Sequence, residues 1–194
     1  IQSSGGVIHK AIAAIENALL DIKAKYLDQP VHSMLGGAVR KKIPLYWSHC
    51  GTSRVRAFDM IKKPRIKTFK DLEDFCVEIN NSGFKTIKTN IGILEEEEPI
   101  VYMPGNSKTY GWPDLELTKT MGKKIEDWIK GFYENLDSSI SIILDLNYNF
   151  KNEGYIRVAK ILEKYDLCWL EIDTISPSSL DNINRSINTP ICSG

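Results

Sequence analysis

The chain has 194 residues, 42% of them hydrophobic and 26% charged, a composition that builds a globular core. Its 25 basic and 25 acidic side chains give a formal net charge of zero, which leaves no electrostatic footprint for nucleic acid or an anionic membrane. No apolar run approaches the roughly 20 residues of a membrane-spanning helix, and the length suits one domain, or one domain and part of another.

The opening IQSSGGVIHK lacks a basic segment followed by an apolar core, so it does not read as a secretory signal. It also lacks an initiator Met, and the chain is expected to begin partway through something longer. Residues 9–27 carry the clearest helical pattern. Ile12, Ile15, Leu19, Ile22 and Tyr26 recur at steps of three and four, and Ala11, Ala14 and Ala18 widen the stripe. Asp28 to Pro30 end this helix and LGG at 35–37 makes a turn.

Strands and helices then alternate. Strand-like runs lie at 43–48, 84–91, 140–146, 167–172 and 190–192. Helical patterns lie at 68–80 and 114–136, in EGYIRVAKILEKY and in SSLDNINRSIN. Repeated strand–helix units imply parallel strands joined by right-handed crossovers, and continuously apolar strands imply cover on both faces. Two architectures satisfy this, an open doubly wound sheet and part of a (β/α)₈ barrel. The segment after the first strand, SHCGTSRVR, has one glycine and no GxGxxG, which weakens a nucleotide-binding open sheet. A whole barrel needs about 250 residues, so a barrel here would be incomplete.

Cys50, Cys76, Cys168 and Cys192 form no CxxC pair. They are expected to be reduced thiols of a cytoplasmic protein rather than a disulfide framework or a zinc site.

Polar pairs at strand ends carry the chemistry. Alternate residues of a strand face the same side. The second strand closes with Lys88 and Asn90, the third with Asp145 and Asn147, the fourth with Glu171 and Asp173. In a parallel array these carboxyl ends share one rim, where active sites of both architectures lie. A single such Asp is most simply a helix cap or turn former; three pairs in register are harder to explain that way. Carboxylates on neighbouring strands repel unless a cation lies between them, and hard oxygen donors suit Mg²⁺.

These segments resemble the enolase superfamily, and within it the mandelate racemase-like branch. AIENALLDIKAKYLDQPVHSMLGG is similar to the helix and turn by which that family's capping domain enters its barrel. GFKTIKTNIG resembles the lysine-bearing second strand, DLNYN and WLEID the first two metal-ligand strands, and TPICSG the strand before the third ligand. The likeness runs from about residue 11 to the end. It implies an α/β fold: a partial (β/α)₈ TIM-type barrel of about five strands over 38–194, preceded over 1–37 by the last helix of an α+β capping domain. It implies Asp145 and Glu171 as Mg²⁺ ligands, Lys88 facing a substrate carboxylate, and Asn147 supporting the metal site or the substrate. A homo-oligomer acting on a small-molecule carboxylate, with no nucleic acid or membrane partner, is expected.

The family's common step removes a proton α to a carboxylate and stabilises the resulting enediolate with Mg²⁺. Asn90 stands where many members have a second, base-acting lysine, and an amide cannot take up a proton near neutral pH. Asn90 is therefore read as substrate-binding. A racemase needs a base on each face of the substrate carbon, so its loss favours dehydration of a sugar acid over racemisation, epimerisation or cycloisomerisation. WLEID lacks the usual acidic-proline ending, which leaves Asp173 unassigned. The third ligand and the histidine base would follow Gly194, so the chain alone is expected to be inactive.

His49, after the first strand, is a candidate substrate contact, whereas Tyr46 and Trp47 read as packing. His9 and His32 read as structural. The run Glu95 to Glu98 opens a segment, 92–113, expected to act as a lid. Two other classes of function compete: a scaffold or fragment that kept two ligands without the chemistry, and a nucleotide-binding sheet using SHCGTSRVR.

Overall fold

A computed structural model describes residues 6–95, 97–103, 116–174 and 176–193. The chain divides into two compact units, Ile1–Pro44 and Leu45–Gly194.

The first unit is helical: α1 spans Gly6–Tyr26 and α2 spans Val31–Met34. The amphipathic stripe forms as the spacing predicts, yet Ile15, Leu19 and Ile22 are 63%, 60% and 63% exposed, so the described residues leave it uncovered. Asp28, at φ 51°, ends α1 in a left-handed conformation. Gly36 and Gly37, at φ 100° and 95°, make the LGG turn, and the Gly37 N–H donates to the His32 carbonyl at 2.9 Å.

The second unit is an α/β array. Two short helices, α3 (Thr52–Arg56) and α4 (Phe58–Ile61), precede α5 (Phe69–Asn80). The strand β1 (Thr86–Thr89) follows, then an antiparallel ribbon of β2 (Gly92–Ile93) and β3 (Ile100–Val101). Next come α6 (Lys119–Asn135), β4 (Ser141–Asp145), α7 (Asn152–Leu162), β5 (Trp169–Glu171), α8 (Pro177–Ser186) and β6 (Ile191–Cys192). The main sheet runs β1-β4-β5-β6, with every pairing parallel. Trp47 adds an outer parallel bridge to Ile87: its N–H donates to the Thr86 carbonyl at 3.0 Å, and its carbonyl accepts from the Lys88 N–H at 2.8 Å.

The strands thus lie side by side in chain order without reversal. An open doubly wound sheet reverses its order at the switch point, whereas a singly wound array is the arc of a barrel. Ile87, Leu144 and Leu170, each 0% exposed, face the layer of α5, α6, α7 and α8 and belong to the main hydrophobic cluster. The alternate positions, Lys88, Asp145 and Glu171, turn to the other side of the arc.

Sequence punctuation places the helices. Thr68 and Asp71 form a capping box at α5: the Asp71 N–H donates to the Thr68 hydroxyl at 3.1 Å, and the Thr68 N–H to the Asp71 carboxylate at 2.8 Å. Thr118 caps α6, and Ser176 with Pro177 at N1 starts α8. Trp128 of α6 is fully buried, and its indole N–H donates to the Thr89 hydroxyl at 3.2 Å. It lies so close to the backbone that a Cβ on Gly92 would meet the ring at 2.8 Å.

Two expectations are corrected. The run 43–48 is not a strand; it keeps one bridge, at Trp47, and Pro44 within it has no N–H to donate to a ladder. In the segment expected to be a long loop, residues 92–93 and 100–101 pair as a two-stranded ribbon, and 96 and 104–113 lie outside the described residues. No helix of the described residues is long and apolar enough to cross a membrane. The four cysteines are free, and burial raises the thiols of Cys50 and Cys76, the latter to about 12, which disfavours the thiolate form.

Candidate functional site

The carboxyl ends of β1, β4 and β5 bring three charges together. Asp145 and Glu171 are direct register partners across the β4–β5 pairing, so their side chains leave the sheet side by side. One strand over, Lys88 projects from β1. Its Nζ lies 2.8 Å from Glu171 Oε2 and 3.3 Å from Asp145 Oδ2. The side chains of Lys88 and Asp145 are only 12% and 10% exposed, and that of Glu171 24%. Asp145 can sit at the end of an otherwise apolar strand because both of its oxygens are engaged. The second, Oδ1, accepts the Asn147 N–H at 3.0 Å. Burial lowers the affinity of Lys88 for its proton, but the Glu171 hydrogen bond and the Asp145 charge outweigh it and leave the ammonium above its usual range.

The residues around this triad come from the turns that follow each strand. Asn90 is 4% exposed; its Nδ2 reaches the Asp145 carbonyl at 3.5 Å, and its Oδ1 lies 3.0 Å from His49 Nδ1. His49 follows the Trp47 bridge at φ 52°, a left-handed position that turns the chain into α3. Asn147, at φ 49°, occupies another such turn, and its amide folds back on the Asp145 carbonyl at 3.4 Å. The Tyr155 hydroxyl fastens that turn by donating to the Asn147 carbonyl at 2.6 Å. Asp173 lies in the same field: burial raises its carboxyl, the charges of Asp145 and Glu171 raise it further, and Lys88 pulls the other way.

Lys88, Asn90, Asp145, Asn147, Glu171 and His49, the candidate site residues of the sequence, fall on one rim, with Asp173 in the same field. Lys88, Asp145 and Glu171 meet directly, Asn90 links to His49 and to the Asp145 backbone, and Asn147 closes the turn beneath Asp145. Sequence reading missed Tyr46 as a member of this group. Its ring centroid lies 5.6 Å from Lys88 Nζ and packs edge-on against Trp169 at 6.1 Å, while Trp47 packs outward on Phe75 and Phe84. Neighbours in extended backbone face opposite ways, so Tyr46 and Trp47 separate, but the sequence does not say which of the two faces the site. The Trp169 indole N–H is buried without a partner among the described residues.

Two carboxylates converging on one cationic nitrogen are a donor set of hard oxygens, and the ammonium marks where a cation is stabilised. Mg²⁺ binds through one or two carboxylates with water and substrate completing its shell. The pair is therefore compatible with that ion. Among the described residues no cluster of three or more His, Cys, Asp or Glu side chains suited to a metal is present.

The family model described as Mandelate racemase / muconate lactonizing enzyme, N-terminal domain matches residues 3–36. A D-galactonate dehydratase family member from Enterococcus gallinarum (strain EG2) is 26% identical over 199 residues, covering 98% of this chain and 44% of the relative. A crystal structure from Burkholderia xenovorans strain LB400, described provisionally as an L-alanine-DL-glutamate epimerase, superposes with a TM-score of 0.91 at 34% identity, covering 100% of this chain and 49% of that one. The same protein has been solved bound to magnesium and fumarate. An enolase superfamily member from Salmonella Typhimurium shares the fold at a TM-score of 0.79 and 20% identity. The chain spans about half the length of the relatives it matches. The parallel arc, the rim of charged strand ends and these likenesses agree, and together they support a mandelate racemase/muconate lactonizing enzyme-like member of the enolase superfamily.

Proposed function

We propose that the protein to which this chain belongs is a Mg²⁺-dependent lyase that removes the proton α to the carboxylate of a sugar acid and expels water. The convergence of Asp145 and Glu171 on one cationic centre is the observation that carries this reading. In it, Asp145 and Glu171 hold the ion. When bound, Mg²⁺ would supply the positive charge that makes an α-carbon acid accessible near neutral pH. Lys88 places an ammonium beside that position, where it binds and orients a substrate carboxylate. Asn90 hydrogen-bonds the substrate and is itself oriented by His49. Asn147 holds the Asp145 carboxylate in place through its N–H. The burial of the triad keeps water from screening these charges.

The amide of Asn90 cannot serve as a second base, which favours dehydration over racemisation. The D-galactonate dehydratase family relatives point the same way, at 26% and 27% identity. An epimerase of the same superfamily is the second reading, favoured by the 34% identity to the Burkholderia protein. Incubating the full-length protein with a library of aldonic and uronic acids and Mg²⁺ separates the two. A 2-keto-3-deoxy product supports the dehydratase. Solvent-proton exchange or epimerisation without that product overturns it.

A further inference from the structure

The position of the Lys88 ammonium has a consequence for how this site is loaded. Resting on the reading that Asp145 and Glu171 hold the ion, we propose that Lys88 is an exchangeable counter-cation: it occupies the carboxylate pair until a divalent ion displaces it, and only then is it free for a substrate carboxylate.

The geometry that leads there is specific to these oxygens. The Lys88 ammonium contacts Glu171 Oε2 at 2.8 Å and Asp145 Oδ2 at 3.3 Å, and the Asn147 N–H holds Asp145 Oδ1. The oxygens by which this pair would jointly grip an ion are those the ammonium already engages. A divalent ion at coordination distance, about 2.1 Å from an oxygen, and an ammonium on the same oxygens would repel each other strongly. Lysine has a flexible stem and a compact charge, so it can leave by rotating its own side chain. The face of the Tyr46 ring, 5.6 Å from Nζ, offers a place for a displaced ammonium to rest. A substrate carboxylate meets a different partner before and after this exchange. Before it, Lys88 is committed to two acidic side chains; afterwards its charge is uncompensated and faces the mouth of the site. The order of binding is thereby set: metal first, carboxylate second.

The test is calorimetric titration of MgCl₂ into the full chain as wild type, Lys88→Met, Lys85→Met, Asp145→Asn and Glu171→Gln. Lys85→Met makes the same charge change at an exposed position at the far end of the strand. Lys88→Met is expected to bind Mg²⁺ at least about tenfold more tightly than wild type, equivalent to ~1.4 kcal/mol, with Lys85→Met within about twofold. Unchanged or weaker binding by Lys88→Met overturns the proposal, as does equal tightening by Lys85→Met. A wild-type readout guards against a variant that fails to fold: the rate of Lys88 modification by an amine-reactive reagent, read by peptide mass. It should rise when Mg²⁺ is added, and an unchanged or slower rate overturns the proposal. If Asp145→Asn and Glu171→Gln lose Mg²⁺ while Lys88 behaves otherwise than stated, the metal reading stands and the exchange alone falls. If wild type binds no Mg²⁺, or those two variants bind it as wild type does, both fall together.

Discussion

Asp145 and Glu171 stand opposite each other in the β4–β5 register, and one ammonium, that of Lys88, reaches both. Residues 57 to 83 positions away from Lys88 would not meet at this spacing by local structure. Parallel pairing in strict chain order places them there.

That contact has a measurable energy. In a double-mutant cycle of Lys88→Met with Asp145→Asn, read by urea unfolding of the Mg²⁺-free protein, the coupling is expected at about 0.5–3 kcal/mol. Partial burial lifts it above the ordinary surface ion pair, which is worth about 0–1 kcal/mol. Additive effects would mean that the two charges do not interact.

Gly92 is expected to be intolerant of even one added carbon. A Cβ there would stand 2.8 Å from the buried Trp128 ring, which cannot withdraw while its N–H is held by Thr89. Gly92→Ala should cost about 1–3 kcal/mol of stability by overpacking. Chemical denaturation gives this directly, and a neutral result would contradict the packing of α6 on the sheet.

The α5 capping box gives a pH dependence of known sign. The Lys67 and Thr68 N–H groups donate to the Asp71 carboxylate and hold its pKa below the usual range, although slight burial opposes them. A carboxyl depressed on folding stabilises the fold above its unfolded pKa of about 3.9 and stops doing so as the pH falls through the folded value. Asp71→Ala should therefore be less stable than wild type at pH 7, and the difference should shrink steadily below about pH 4. A gap that stays constant with pH would contradict the box.

Much of this site is legible in the sequence because strand alternation is local. Lys88 and Asn90, Asp145 and Asn147, and Glu171 and Asp173 each declare themselves as i, i+2 pairs after an apolar run. Parallel pairing then carries them to one rim without further information. The partners across the arc are less legible. Nothing near Lys88 in sequence says that its ammonium bridges two acids rather than facing solvent, and nothing around Tyr46 separates a site-facing ring from the outward-packing Trp47 beside it. The first strand shows the limit of apolar pattern. IPLYWS reads as a strand by composition, yet only Trp47 bridges to the sheet. The α1 stripe was legible as an amphipathic face, but amphipathicity does not say what covers it, and the described residues leave Ile15, Leu19 and Ile22 exposed.

The central claim is that Asp145 and Glu171 jointly hold a divalent ion. The most direct measurement is a crystal structure of the full chain soaked in Mn²⁺, an anomalous scatterer that shares oxygen donors with Mg²⁺. The account predicts an anomalous peak between the two carboxylates, about 2.0–2.2 Å from an oxygen of each. A peak elsewhere, or none while the two side chains keep their positions, would contradict it.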